Sequence, residues 1–234
     1  MRHLLLPLAL ALSLVTSAVA AAENTLSDAE KTVGWKLLFD GKTLGGWQPL
    51  GKPGVPIKGW EVQDGAIFLA KGAGGGDLVT AEQFGDFELS WEWKIATAGN
   101  SGVKYNLTDA GKPVGFEYQL LDDDKHPDAR VGKERQTAAL YDVVAPSAER
   151  KVKPVGEWNE SRIVVRGAHV EQWLNGVKTV EFDFGSDDLK ARIAKSKYKA
   201  LAKFGEKMKS PILLQDHHDE VAFRSLKLRV LDAK

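Results

Sequence analysis

The run Gln215-Asp216-His217-His218-Asp219 is the densest cluster of proton-transfer and ligand groups in the chain. Imidazole changes charge near neutral pH, so His217 is a candidate base or metal ligand. Adjacent histidines on an extended chain point in different directions. His217 and His218 therefore serve one centre only across a sharp turn; otherwise the segment is a polar loop closing a hairpin. Glu117 is the second candidate. It stands two residues from Gln119 in Gly115-Phe116-Glu117-Tyr118-Gln119-Leu120. Residues two apart on a strand share a face about 6.6 Å apart along the chain, so Glu117 and Gln119 project together while Phe116, Tyr118 and Leu120 supply core. Asp122 breaks the parity and joins that face only through a bulge or the strand end. His126, beside Asp122-Asp123-Asp124, is a ligand or part of a hydrophilic turn. Asn100-Ser101-Gly102 carries donors and acceptors suited to sugar hydroxyls, or to an ordinary Asx turn. His169 sits in a regular alternating strand, where a structural use is the simpler reading.

Composition removes other chemistries. The 234 residues include no cysteine, which excludes disulfides, thiolate zinc sites and a cysteine nucleophile. Lys and Arg total 32 against 32 Asp and Glu, so no net field favours nucleic acid or an anionic membrane. The glycine-rich stretch Gly72 to Gly76 lacks both the dinucleotide-binding register and the lysine of a phosphate loop. No zinc-protease, calcium-loop or serine-elbow motif is present.

The elements that position these residues are short strands. Trp60-Glu61-Val62 runs through Asp64-Gly65 into Ala66 to Leu69, a hairpin signal because Gly tolerates positive φ. Phe87 to Trp93 alternates strictly, as do Phe116 to Leu120, Arg162 to Arg166 and His169 to Leu174, the last followed by Asn175-Gly176. Pro211 to Gln215 and Val221 to Leu231 close the chain as strands. Only Ser186 to Lys207 differs, with Leu189, Ile193, Leu201 and Phe204 at near-helical spacing among lysines. The pattern predicts an all-β jelly-roll sandwich with a short helical excursion near 186–207, in one domain over 35–234 after a polar lead at 21–34. Of the seven tryptophans (35, 47, 60, 91, 93, 158, 173), most are expected in the core. A basic start, an apolar run from Leu4 to Val15 and small residues at Ala18 and Ala20 read as a signal peptide over 1–20. The mature chain is then periplasmic or secreted, with no membrane anchor.

Read together, several motifs resemble the 3-keto-disaccharide hydrolase family. They are Phe39-Asp40-Gly41-Lys42-Thr43-Leu44 with Gly46-Trp47, Asn100-Ser101-Gly102-Val103, Gly115 to Asp122, Gly156-Glu157-Trp158-Asn159, Leu174-Asn175-Gly176 and Leu214-Gln215-Asp216-His217. The family often has Gly after the Gln-Asp-His triplet, where this chain has His218. The resemblance implies a concanavalin A/laminarinase-like jelly roll and action on glycosides already oxidised at C3. A ketone there acidifies the C2 proton, so a base can remove it and the enolate can expel the C1 substituent, with or without later addition of water. In the roles so implied, His217 is the base, Glu117 an alternate base or metal ligand, and Asp122 or Asp216 the acid or a metal ligand. Asn100, Ser101, Gln119, Gln215, Tyr141 and Trp158 bind substrate. A divalent cation polarising the ketone fits these side chains, with Glu117, His126 and His217 as candidate ligands. The partner is a carbohydrate, not nucleic acid. Two other readings compete. A laminarinase-type retaining glycosidase needs an E-x-D-x-x-E strand, and here Gln119 replaces the central carboxylate. A non-catalytic carbohydrate-binding module would need no proton-transfer group.

Overall fold

The computed structural model describes residues 22–109 and 111–232; the signal segment expected over 1–20 lies outside them. Among the described residues, thirteen strands form two antiparallel sheets. In chain order they are β1 (Lys36–Leu37), β2 (Trp47–Pro49), β3 (Trp60–Gln63), β4 (Ala66–Leu69), β5 (Leu78–Thr80), β6 (Phe87–Ile95), β7 (Asn100–Tyr105), β8 (Phe116–Leu121), β9 (Asn159–Arg166), β10 (His169–Leu174), β11 (Val177–Asp183), β12 (Leu213–Leu214) and β13 (Val221–Val230). The larger sheet runs β11-β10-β9-β6-β13-β4-β3, with β1 on the far half of β13; the smaller runs β2-β5-β12-β7-β8. The jelly-roll sandwich is thus the observed architecture.

Local chemistry makes the hairpins. Asp64 and Gly65 have φ of 50° and 71°, and Asn175 and Gly176 have 46° and 80°. Two successive positive φ values match the right-handed twist of the flanking strands, and the registers Gln63↔Ala66 and Leu174↔Val177 follow. The inner faces meet in an aromatic core. Trp91 of β6 stands edge-on to Tyr118 of β8, with ring centroids 5.1 Å apart. Trp93 Nε1 donates to Ser161 Oγ on the neighbouring strand at 2.8 Å, and across the sheets Tyr118 Oη donates to Trp173 O at 3.0 Å. Trp47, Trp60, Trp91 and Trp93 are buried, whereas Trp35, Trp158 and Trp173 lie under Lys or Arg cations.

Three local expectations change. β8 alternates in sequence yet is buried on both faces. The 138–141 segment lies along its outer edge: Ala138 N–H donates to Gln119 O at 2.9 Å, and Tyr141 N–H to Glu117 O at 3.0 Å. The helical excursion shrinks to α2, Asp187–Ile193, started by Ser186 Oγ accepting from Leu189 N–H. Leu189 and Phe204 enter the core but Leu201 is exposed, so turns replace helix after Ile193. The polar lead contains a helix, α1 (Asp28–Thr32), with a capping box between Ser27 and Glu30. Glu30 then pairs with Lys227 Nζ at 2.5 Å, fastening the lead to β13.

Candidate active site

The outer face of the smaller sheet carries the densest chemistry. Cross-strand register decides which residues share it: Gly102 opposes Gln119, Lys104 opposes Glu117, and Leu213 opposes Lys104. Gln215 continues β12 in the same parity and donates its N–H to Gly102 O at 2.9 Å. Glu117 is the anchor of this face. Its carboxylate meets Lys104 Nζ at 3.2 Å, and both side chains are under a tenth exposed. With the amides oriented so that donors meet acceptors, Gln119 donates to Glu117 Oε1 at 3.1 Å and to Ser101 O at 3.2 Å. Gln215 donates to Glu117 Oε1 at 3.3 Å and accepts from Lys104 Nζ at 3.1 Å. Gly102 makes room for this: a Cβ there would sit 2.9 Å from Glu117 Oε1. Glu117 therefore has a lysine and two amides on its oxygens, and it orients Gln119 and Gln215 rather than standing free as base or ligand. Inventory leaves Gln215 one uncommitted N–H, whereas both of Gln119's are used.

At the Asn100 end of the same face the polar loop folds over. His218 has φ of 68°, a left-handed conformation that glycine adopts without strain. The sharp turn is made here with His. Asp216 holds the turn, accepting from His218 N–H and Gly76 N–H, each at 2.9 Å. Gly72 N–H donates to His218 O at 2.9 Å, so the glycine-rich loop is a buttress for the histidine loop. Asp77 Oδ1 accepts from Asp216 N–H at 2.9 Å. Burial pushes the Asp77 carboxyl above its usual range, and the charges of Glu117 and Asp216 add to this against Lys104 and the Asp216 amide.

His217 is exposed, and its ring lies 6.3 Å from that of His126, edge to face. Ring nitrogens of both and a carboxylate oxygen of Asp219 come within 4.8 Å of one another. Asp219 is steadied by Asn100 N–H on Oδ2 at 3.1 Å. Two histidines and a carboxylate are a familiar cation set. However, His126 Nδ1 accepts from Asp128 N–H at 3.2 Å. A neutral imidazole that accepts at Nδ1 carries its proton on Nε2, so cation binding requires that hydrogen bond to open. Asp128 is itself a hub, accepting from Arg135 at 2.9 Å and from Tyr141 Oη at 2.7 Å.

The structure thus gathers Glu117, Gln119, Gln215 and Tyr141 on one face, with Asn100, His126 and His217 at its end. Other expected roles need correction. Asp122 Oδ2 accepts from Ala98 N–H at 2.7 Å, and Oδ1 from Asp124 and Lys125 N–H at 3.1 and 3.2 Å. With three backbone donors on its two oxygens, this carboxylate is committed to forming the turn. Asp216 is committed in the same way by two amides. Ser101 faces the core, fully buried, and donates to Gln215 O at 2.9 Å, so it cannot reach a sugar. Trp158 lies on the outer face of the larger sheet, under Arg224 at 4.1 Å and Lys94 at 5.0 Å, with the whole core between it and Glu117. His169 belongs to a surface ion ladder with Asp183, Glu181 and Lys178; the Asp183 hydrogen bond raises its pKa.

Lys104, Asp77, Asp128 and Lys197 escape a sequence reading, and Asp219 is marked there only as a member of the polar run. Lys104 alone has a local signal, since it shares the parity of Asn100 and Gly102 on β7. Lys197 follows α2, its ammonium 4.1 Å over the Tyr141 ring. Burial of that head group lowers its pKa, against the pull of Glu117 and Asp142, although much of the side chain is exposed. A cavity of about 780 Å³ is lined by Trp93, Asp122, Asp123, Gln136, Arg150 and Asn159. Neither Glu117 nor His217 lines it.

Residues 34–229 match the family of 3-keto-alpha-glucoside-1,2-lyase-like domains. A 3-keto-disaccharide hydrolase of Bacteroides thetaiotaomicron is 36% identical over 254 aligned positions, covering 95% of this chain and 87% of that protein. A crystal structure from Parabacteroides distasonis, provisionally described as a glycosyl hydrolase, superposes with a TM-score of 0.81 at 35% identity, covering 90% of this chain and 100% of that one. A second from the same organism, described likewise, gives 0.67 at 29% identity, covering 84% and 99%.

Proposed function

The chain belongs to the 3-keto-alpha-glucoside-1,2-lyase-like family, and on that premise we propose that it cleaves glycosides whose sugar carries a ketone at C3. The observation that carries this reading is the exposed His217 imidazole, set across from His126 beside the amides of Gln215 and Gln119. A base is the first need, because the C2 proton must leave before anything else can happen. Glu117, Asp122 and Asp216 have their oxygens committed; of the groups that remain, the exposed His217 imidazole is assigned as the base. Removing the proton places the electron pair between C2 and C3 as an enolate. Collapse of the enolate re-forms the ketone, makes the C1–C2 double bond and breaks the C1–O bond. The His217 imidazolium, now carrying the proton, can return it to the departing oxygen, so no separate carboxylic acid is required. Water adding across the double bond completes net hydrolysis. Gln215 offers its free N–H to a hydroxyl. An ordinary retaining glycosidase fits less well, since it needs two carboxylates about 5–5.5 Å apart, and here the central one is Gln119 while Asp122 is tied to backbone. The apolar N-terminal run supports export before action.

The test is aglycone release from a 3-keto-glucoside and from its unoxidised parent, using wild type and His217→Ala. The expected result is cleavage of the keto form only, with the variant slower by about 10²–10⁴-fold and unchanged in folding. Equal cleavage of the parent, or near-wild-type turnover by the variant, overturns the proposal.

A further inference from the structure

Proton removal from C2 leaves negative charge on the C3 oxygen, and that oxygen needs a preorganised donor. We infer that His126, as a neutral imidazole, is that donor: its Nε2–H polarises the C3 ketone and holds the enolate oxygen. The assignment rests on the elimination reading above.

The argument is one of tautomer and place. Asp128 N–H points at His126 Nδ1, 3.2 Å away. A proton on Nδ1 would face that N–H directly, so the structure favours the ring with one proton, on Nε2. A neutral imidazole is a poor proton donor but a good electrophile, because it can share its N–H with an oxyanion without giving it up. The pose is rigid for reasons outside the ring. His126 N–H donates to Asp122 O at 2.9 Å, and Asp122 is clamped by the amides of Ala98, Asp124 and Lys125. Asp128, which presents the N–H, has its carboxylate fixed by Arg135 and Tyr141.

Spacing agrees. A nitrogen of His126 and a nitrogen of His217 lie within 4.8 Å of each other. In an α-keto C–H unit the carbonyl oxygen and the carbon bearing the proton are about 2.4 Å apart, from standard bond lengths. A base about 3 Å from that carbon and a donor about 3 Å from that oxygen can both be met across a gap of this size. Asp122 thus acts through His126, whose backbone N–H its own carbonyl holds.

The experiment uses 1,5-anhydroglucitol oxidised to a ketone at C3, which binds as the sugar does but has no group to expel. Its isotope-labelled carbonyl band is followed by difference infrared spectroscopy on wild type and His126→Gln, alongside ¹⁵N spectra of the wild-type histidines. The expected result is a carbonyl band shifted to lower frequency in the wild type and largely restored in the variant. His126 should show the Nε2–H neutral form, and keto-glucoside turnover by the variant should fall about 10²–10³-fold. A bound ketone with the same band in both proteins, or a His126 protonated on Nδ1, overturns this assignment while leaving His217 as base. Failure of the wild type to bind the ketone at all overturns the substrate reading and this assignment with it. Should His126→Gln not fold, the wild-type band position and nitrogen spectra still decide.

Discussion

The Lys104–Glu117 pair predicts a large and non-additive stability effect. The two side chains are 9% and 5% exposed and meet at 3.2 Å, so solvent screens them little. Glu117→Gln leaves the ammonium with only Pro113 O at 3.2 Å and the Gln215 carbonyl at 3.1 Å, a buried cation without a counter-charge. Lys104→Met leaves the carboxylate with two neutral amides. Breaking one side of a buried pair costs about 3–5 kcal/mol, which at about 2–4 °C per kcal/mol for a chain of this size lowers Tm by about 6–20 °C. The double variant buries no charge, and the carbonyl introduced by Glu117→Gln still accepts from a neighbouring amide. Its loss should fall short of the summed single losses by about 2–3 kcal/mol, the upper range for neighbouring residues. Urea titrations with linear extrapolation measure all three. Single losses below about 1 kcal/mol, the range of solvent-exposed pairs, or strict additivity in the double variant, would refute the view that this face is built on a desolvated ion pair.

His218→Gly should stabilise the protein by about 0.5–1 kcal/mol, because φ of 68° strains a residue with a Cβ and the His218 side chain is 80% exposed; a thermal shift assay showing a loss would contradict the strain argument. Glu30 is held at a pKa of about 2 by its hydrogen bond to Lys227 and by the Ser27 amide. Its folded pKa is lowered, so its contribution is complete above the ordinary glutamate range and disappears as pH falls through about 2. The Tm gap between wild type and Glu30→Gln should therefore be widest at pH 6 and narrow steadily towards pH 2.

What the order of amino acids determined is local. Alternation with period two sorts β8 and β6 into core and outer faces, and Asp64-Gly65 and Asn175-Gly176 demand positive φ, so sheet faces and hairpins are legible without coordinates. The polar loop 215–219 and the Glu117/Gln119 pair stand out by residue type alone.

Which of those groups has a free lone pair or proton is a different matter, decided by partners distant in the chain. Asp122 looks like an acid until Ala98 N–H, 24 residues earlier, occupies it. Asp216 is committed to Gly76, 140 residues away, and Glu117 to a lysine placed opposite it only by the β7–β8 register. His126, beside three aspartates, is ambiguous in the sequence, and its tautomer follows from the turn at Asp128. Residue type sets what a group is able to do. Only packing, which removes water and supplies or withholds hydrogen-bond partners, sets whether it remains free to do it.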